Sequence, residues 1–239
     1  MELLNDPQTW ISLLTLTVME IVLGIDNLIF IAVLVDRLPP KQRDRARRLG
    51  ILLALVFRLM LLSLLSWIVG LTEPLFTAFD HTVSWRDLIL IGGGLFLLTK
   101  ATREIHESIE GEGDQGPKKD LHASFISVIT QIALLDLIFS IDSVITAVGM
   151  VDNLLIMSTA VILAVGVMLV ASGPVAAFVS GRPTIKMLAF SFLLLIGMTL
   201  IADGAGMHIP KGYLYAAMGF SAFVEMLNTF AKRKKRKAA

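Results

Sequence analysis

Two short acidic motifs interrupt long apolar stretches of this sequence, at Glu20–Asn27 and Asp136–Ser143. Each motif begins with an acid, continues with three apolar residues, a small residue and an isoleucine, and ends with an aspartate and a small polar residue. The similarity extends outward, because residues 16–36 and 132–152 align without a gap and each segment ends in an aspartate. We therefore predict two copies of one structural element, each carrying a pair of carboxylates.

Placing the carboxylates of these motifs within apolar stretches costs free energy. An aspartate at the centre of a bilayer costs about 2.5 to 3.5 kcal/mol on insertion scales, so four such acids need on the order of 10 kcal/mol of compensation. Arg58 is the one basic residue deep within an apolar stretch, and we interpret it as a counter-ion or a snorkelling residue rather than as a gate. Since one arginine offsets only part of the charge, the remainder requires a bound cation, protons or water in a cavity.

The polar groups of the two motifs offer only oxygen atoms as ligands. Carboxylate, amide and hydroxyl oxygens suit hard divalent ions such as Mn²⁺, Mg²⁺ and Ca²⁺ better than Zn²⁺ or Cu²⁺. All four histidines fall in loops or at the ends of apolar stretches. Hydrogen bonding in helix packing is the alternative role for a single buried acid, but four acids in two matched motifs favour a metal site. The candidate metal ligands are Glu20, Asp26, Asn27, Asp136, Asp142 and Ser143.

The spacing within each motif constrains how its acids can meet. On a helix that advances about 100° per residue, Glu20, Gly24 and Asn27 fall on one narrow stripe. Asp26 lies about 120° from that stripe, so a straight helix cannot aim both acids of a motif at one point. Either the site is spread over two helix faces, or the helix unwinds near Gly24 and, in the second motif, near Ser140. Unwound backbone at membrane depth lines cavities, where its free carbonyls can bind a cation.

The composition indicates the class of protein. Of the 239 residues 55% are hydrophobic, and the mean hydropathy of +0.76 lies far above that of a soluble domain. We therefore predict an all-α, polytopic membrane protein. The absence of cysteine excludes disulfides, zinc–thiolate sites and thiol catalysis. The acidic N-terminal segment does not resemble a signal peptide, so we expect the first span to be retained.

Apolar stretches of bilayer-crossing length predict seven transmembrane helices within a single transmembrane domain, residues 1–239. The predicted spans are 10–35, 49–71, 83–99, 124–150, 154–171, 185–201 and 213–230. They divide into repeat one (10–99), a cytoplasmic linker (100–123), repeat two (124–201), a seventh helix (213–230) and a basic cytoplasmic tail (231–239). The glycines at 92–94 predict close packing of the third span.

The basic residues predict the orientation of these spans. Apart from Arg58, eighteen lysines and arginines fall in the tail and in the loops after the first, third and fifth spans, whereas only Arg86 and Lys211 fall on the opposite side. Because cytoplasmic loops are rich in basic residues, we place the N-terminus outside and the C-terminus in the cytoplasm. The helix of the first motif then runs inward and that of the second outward. This predicts an inverted 3+3 repeat plus one additional helix, an architecture typical of secondary transporters whose binding site lies near the midplane.

A third group of acids follows the third span. Glu104, Glu107 and Glu110 lie three residues apart on either side of His106. Such a group could collect metal at a cytoplasmic mouth, but acids with this spacing more often form a solvated extension of a helix, and we favour that interpretation.

The motifs Leu23–Asn27 and Ser140–Ser143, with Glu20 and Asp136 each six residues ahead of the motif aspartate, resemble the TerC family of bacterial integral membrane proteins, and within it the YgdQ-like branch. The resemblance covers almost the whole chain. It implies a seven-span inner-membrane protein, with members linked to manganese export and to tellurium resistance. The positions that it carries over are the same six: Glu20, Asp26, Asn27, Asp136, Asp142 and Ser143.

Our leading hypothesis is a secondary transporter that exports a divalent cation, manganese first, from the cytoplasm by exchange with protons. No nucleotide-binding loop is present in the sequence, so transport driven by ATP hydrolysis would need a partner chain. We expect no enzymatic activity, no permanently bound cofactor and no nucleic-acid partner. We expect the lipid bilayer to surround the chain. Association with a protein partner or with a second copy of the chain is left open by the sequence.

Three alternatives remain. One is an assembly factor that supplies metal to exported proteins or scaffolds them, with a partner surface on the seventh helix. Another is an amino-acid exporter. The third is an intramembrane aspartyl hydrolase in which Asp26 and Asp142 share a proton, although this leaves Glu20 and Asp136 unexplained.

Overall fold

The computed structural model describes residues 7–64, 72–78, 81–110, 124–148 and 153–238, most of which are helical. It contains seven helices and one hairpin of two strands in this part of the chain. The helices are α1 Pro7–Asp36, α2 Pro40–Ser63, α3 Trp85–Glu110, α4 Phe125–Val148, α5 Leu154–Val179, α6 Pro183–Gly204 and α7 Lys211–Ala238. The strands are β1 Pro74–Ala78 and β2 His81–Ser84, which pair antiparallel between α2 and α3.

Three of these helices, α1, α5 and α6, are long and apolar enough to cross a membrane by length and composition. The apolar segment Phe125–Ile141 of α4 is shorter. The chain is therefore a helical membrane protein, as its composition predicts. Each predicted span overlaps one helix in the described residues, although residues 83 and 84 of the third span belong to β2. The crossing of the membrane by all seven helices stays a prediction.

The helix boundaries follow from local chemistry. Proline occupies the first turn of α2 and of α6, where its missing N–H costs nothing. The side chain of Asn153 caps α5 by accepting a hydrogen bond from the backbone N–H of Leu155 at 3.0 Å. Gly181 has a φ of 77°, so the tight turn from α5 into α6 uses a conformation that favours glycine.

Two helices extend into segments that were predicted as a linker and a tail. Helix α3 continues to Glu110, so the first part of the predicted linker 100–123 is helical; Lys100 and Glu104 form an i,i+4 ion pair of 2.6 Å there. Helix α7 continues to Ala238 and includes most of the predicted tail 231–239. The hairpin was not predicted. Residues 111–123 and Asp152 lie outside the described residues.

The helices pack in a specific pattern. Helix α3 lies along α6, α1 lies along α5, and α2 packs against both α4 and α5. A Cβ atom at Gly94 would lie 2.5 Å from the carbonyl oxygen of Gly197, so α3 and α6 approach each other backbone to backbone. This confirms the predicted close packing at Gly94. Close packing is also confirmed at Gly93, because a Cβ atom there would lie 2.6 Å from Cγ2 of Ile138. Gly92 differs, since a Cβ atom there would meet nothing within 4 Å.

The buried core lies between these helices and contains both apolar and charged side chains. Leu34, Leu90 and Leu97 are fully buried. In the same interior, Arg58 and Asp136 are only 3% and 4% exposed. The fold thus places the acidic motifs inside the helix bundle, where charges need partners.

Candidate functional site

Arg58 on α2 joins the two acidic motifs. Its Nη1 donates a hydrogen bond to Oε2 of Glu20 on α1 at 2.6 Å, and its Nη2 donates to Oδ1 of Asp136 on α4 at 3.1 Å. All three side chains are buried. One guanidinium therefore holds the first acid of each motif, which confirms the counter-ion interpretation of Arg58.

Further polar groups surround Asp136. Its Oδ1 also faces Nδ2 of Asn27 at 3.5 Å, and its Oδ2 accepts a hydrogen bond from Oγ of Ser140 at 3.1 Å. Oγ of Ser143 in turn donates to the backbone carbonyl of Ser140 at 3.2 Å. Both carboxylate oxygens of Asp136 thus have donors, as a buried anion requires.

Helix continuity decides between the two geometries that the spacing allowed. Both α1 and α4 run through their motifs without a break, so the helix is not unwound at Gly24 or Ser140. The site is spread over two faces. Glu20 and Asn27 share the buried stripe of α1 with Gly24, whose missing side chain leaves room for the thioether of Met168 on α5.

The second face of α1 lines a cavity of about 60 Å³. Asp26, Asn27, Ser143 and Arg58 contribute polar side chains to its wall. A space of this size holds a few water molecules, since one water needs about 10 to 15 Å³ measured in this way. Asp26 also lines a smaller adjoining cavity of about 10 Å³. The cavity offers room for a small cation beside carboxylate, amide and hydroxyl oxygens.

The structure brings the six predicted ligands only partly together. Glu20 and Asp136 meet at Arg58, whereas Asp26, Asn27 and Ser143 line the cavity beside it. Asp142 lies on α4, but its side chain is outside the described part of the chain. Among the described residues, no three acids or histidines are close enough together to hold a metal ion by themselves.

Two cavity residues were not singled out in the sequence. Asp203, at the end of α6, and Lys211, at the start of α7, both line the cavity of Asp26. Oδ1 of Asp203 accepts a hydrogen bond from the backbone N–H of Ile209 at 3.2 Å, and it lies 3.5 Å from Nδ1 of His208. An acid two residues after the apolar run that ends at Ile201 was the available signal for Asp203.

A separate ionic cluster lies at the C-terminal end of α1. Asp36 accepts from Nη1 of Arg43 at 2.5 Å, from Oγ of Ser180 at 2.9 Å, and from Nζ of Lys186. It therefore ties α1 to the start of α2, to the end of α5 and to α6.

Glu104 forms a second such cluster. Its buried carboxylate pairs with Arg37 and with Lys100, while Glu107 is exposed and lies 3.0 Å from Arg37. The segment from Glu104 to Glu110 is thus a helix extension as predicted, but the expectation that it is solvated is wrong for Glu104, because that carboxylate bridges two elements.

Comparison with known proteins gives consistent results. The chain matches the family described as the integral membrane protein TerC family over residues 5–239. It is 59% identical to the UPF0053 inner membrane protein YoaE of Escherichia coli K12 over 234 residues, which are 98% of this chain and 45% of YoaE. It is 54% identical to the UPF0053 inner membrane protein YgdQ of the same strain over 231 residues, which are 97% of both chains.

A third relative is the UPF0053 protein YegH of Escherichia coli K12, which is 57% identical over 231 residues, or 97% of this chain and 44% of YegH. This chain thus spans less than half the length of YoaE and YegH, but nearly the whole of YgdQ. No solved structure matches it.

Proposed function

Since this chain belongs to the TerC family of integral membrane proteins, we propose that it is a secondary transporter that exports a divalent cation, with manganese the first candidate, across the inner membrane. The family membership agrees with the resemblance of the two acidic motifs. This chain aligns over nearly its whole length with relatives that are named inner membrane proteins, which supports a location in the inner membrane for it as well. Their names state no substrate, so the choice of ion rests on the chemistry of the site.

The observation that carries this proposal is the charge balance around Arg58. Among the residues that the structure describes, four carboxylates meet one arginine and one lysine at Arg58 and in the adjoining cavity, which leaves two carboxylates in excess. The acids are Glu20, Asp26, Asp136 and Asp203, and the bases are Arg58 and Lys211. An uncompensated pair of anions inside a membrane protein is costly, and one divalent cation neutralises it.

The ligand chemistry narrows the choice of ion. Asp26, Asn27 and Ser143 offer oxygen donors to the cavity. Oxygen ligands in a site with room for water favour Mn²⁺, Mg²⁺ or Ca²⁺ over Zn²⁺, which prefers nitrogen and sulfur ligands in tight tetrahedral sites. We take manganese as the first candidate because members of the family that the motifs resemble are linked to its export.

Arg58 gives the site an internal cation that competes with the substrate. Without metal, its guanidinium pairs with both Glu20 and Asp136 and offsets one of their two negative charges. A divalent cation in the adjoining cavity is attracted by the same carboxylates, so its binding weakens their electrostatic interaction with Arg58. Protons that arrive at the acids from the outside compete in the same way, which provides the exchange with protons that a secondary exporter needs.

The pattern of helix packing supports an inverted 3+3 repeat. If α1, α2 and α3 correspond to α4, α5 and α6, the contact of α1 with α5 has its counterpart in the contact of α4 with α2. The contact of α3 with α6 then maps onto itself, with Gly94 and Gly197 facing each other. Such a repeat places the site where both halves meet, and α7 is additional.

The test of the proposed function is the manganese content of cells under manganese load, with and without the protein. We expect cells that produce the protein to hold less manganese and to grow better. Asp26→Asn keeps the volume of the side chain and removes its charge, so it should abolish this difference. Asp44→Asn, on the exposed surface of α2, is the matched control and should export normally. Equal manganese content with and without the wild-type protein would contradict the proposal.

A further inference from the structure

A second, larger cavity lies between the C-terminal end of α5, α6 and α7. Its volume is about 400 Å³, and its wall is mostly apolar, with Phe178, Leu188, Phe192 and Met226 among its members. This volume is within the range of about 300 to 1,000 Å³ that is typical of pockets for small molecules. In a membrane protein, an apolar space between helices suits a hydrocarbon chain better than water.

Arg182 stands at one side of this cavity, in the turn before α6. Its guanidinium lies over the ring of Phe178, 4.2 Å from the ring centroid, which fixes its position. Nη1 is shielded from solvent and has no hydrogen-bond acceptor among the residues that the structure describes. A buried cationic N–H without an acceptor calls for an anionic ligand.

Glu225 on α7 contributes a carboxylate to the same cavity. Within the described part of the chain, this carboxylate forms no ion pair, and it does not pair with Arg182. Arg182 directly precedes α6, and Glu225 lies on α7. Since both residues line this cavity, an arginine and a glutamate from different helices border one apolar space.

We propose that this cavity binds a zwitterionic phospholipid with a primary ammonium head group, of the phosphatidylethanolamine class. Arg182 binds the phosphate, Glu225 accepts hydrogen bonds from the ammonium, and an acyl chain fills the apolar space. The N-terminus of α6 adds favourable dipole charge for the phosphate. A phosphatidylglycerol head group offers no cation to Glu225, and the quaternary ammonium of phosphatidylcholine has no N–H to donate.

Native mass spectrometry of the purified full chain tests this proposal. The protein is supplied with phosphatidylethanolamine, phosphatidylglycerol or phosphatidylcholine of matched acyl chains, and the bound lipid is counted. We expect phosphatidylethanolamine to bind more tightly than the other two. Arg182→Gln should weaken its binding about tenfold or more, as expected for loss of a charge-assisted hydrogen bond. Arg45→Gln, on the exposed surface of α2, is the matched control and should leave lipid binding unchanged.

Two further variants separate the parts of the site. Glu225→Gln should remove the preference for phosphatidylethanolamine over phosphatidylglycerol while retaining a bound lipid. Ala222→Leu narrows the cavity from α7, where residue 222 is exposed and a larger side chain is tolerated, so it should reduce binding of all three lipids.

Three results would overturn the proposal. They are equal binding of the three lipids by the wild type, unchanged binding in Arg182→Gln, and equally tight binding of inorganic phosphate without an acyl chain. Since none of these measurements involves metal export, their outcome is independent of the proposed transport.

Discussion

Nη2 of Arg58 lies 3.1 Å from Oδ1 of Asp136, so a guanidinium on α2 holds a carboxylate on α4, 78 residues further along the chain. The same guanidinium holds Glu20 on α1 through Nη1 at 2.6 Å. Three helices therefore meet at one buried cation. Removing a single partner of such a group leaves an uncompensated buried charge, which is far more damaging than losing an exposed ion pair.

Arg58→Gln should destabilise the protein by about 3 to 5 kcal/mol, because Glu20 and Asp136 lose their shared partner inside the bundle. Thermal unfolding in detergent measures this effect. Arg103→Gln, on the exposed face of α3, is the control and should unfold like the wild type. Added Mn²⁺ should raise the melting temperature of Arg58→Gln more than that of the wild type, since the metal replaces the missing cation. A melting temperature equal to that of the control would show that Arg58 is not the structural counter-ion.

Gly94→Ala should destabilise the pair α3 and α6. The new Cβ atom would lie 2.5 Å from the carbonyl oxygen of Gly197, which is backbone and cannot turn aside, so we expect a cost of about 1 to 3 kcal/mol. Gly92→Ala is the matched control two residues away, because a Cβ atom there meets nothing within 4 Å. It should be neutral or stabilise the helix by up to about 1 kcal/mol. Equal unfolding of the two variants would contradict the close approach of these helices.

The proposed orientation can be tested by single-cysteine labelling, which is direct because the natural chain has no cysteine. A cysteine at position 45 should react only with reagents that reach the cytoplasm, and one at position 208 should react from outside. Both positions are exposed, so access to the side chain does not limit the reaction. Labelling of position 45 from outside would reverse the orientation and, with it, the direction of export.

Manganese should bind the purified protein more tightly than zinc, although the general order of affinity favours zinc. The reason is the set of oxygen donors in the cavity, namely Asp26, Asn27 and Ser143. Equilibrium binding with each metal measures the preference. Zinc bound to the histidines is removed by replacing all four, His81, His106, His122 and His208, with alanine. Tighter zinc binding that survives these changes would count against the proposed site.

Much of the site follows from the sequence because buried charge in an apolar helix needs compensation. The burial of Glu20 and Asp136 and the role of Arg58 as a counter-ion are visible in this way. That one arginine serves both motifs could not be predicted, since it depends on how three helices pack. The same applies to Asp203, which reaches the cavity of Asp26 from 177 positions further along the chain.

The fold shows a similar division. Hydropathy predicts where each helix lies, but helix ends depend on contacts that hydropathy does not register. Helix α3 continues beyond Thr99 because Glu104 is buried against Arg37 and pairs with Lys100 within the helix. The hairpin at β1 and β2 was missed because its strands are only five and four residues long.

The most direct test of the central claim is Mn²⁺ transport by the purified protein in liposomes, followed with a metal-sensitive dye on the far side of the bilayer. Wild type should move Mn²⁺ and should move it faster under an opposing proton gradient. Asp26→Asn and Asp142→Asn should each abolish transport while the protein stays folded, and Asp44→Asn should transport like the wild type. Wild-type liposomes no more permeable to Mn²⁺ than protein-free ones, or full transport by Asp26→Asn, would contradict the account.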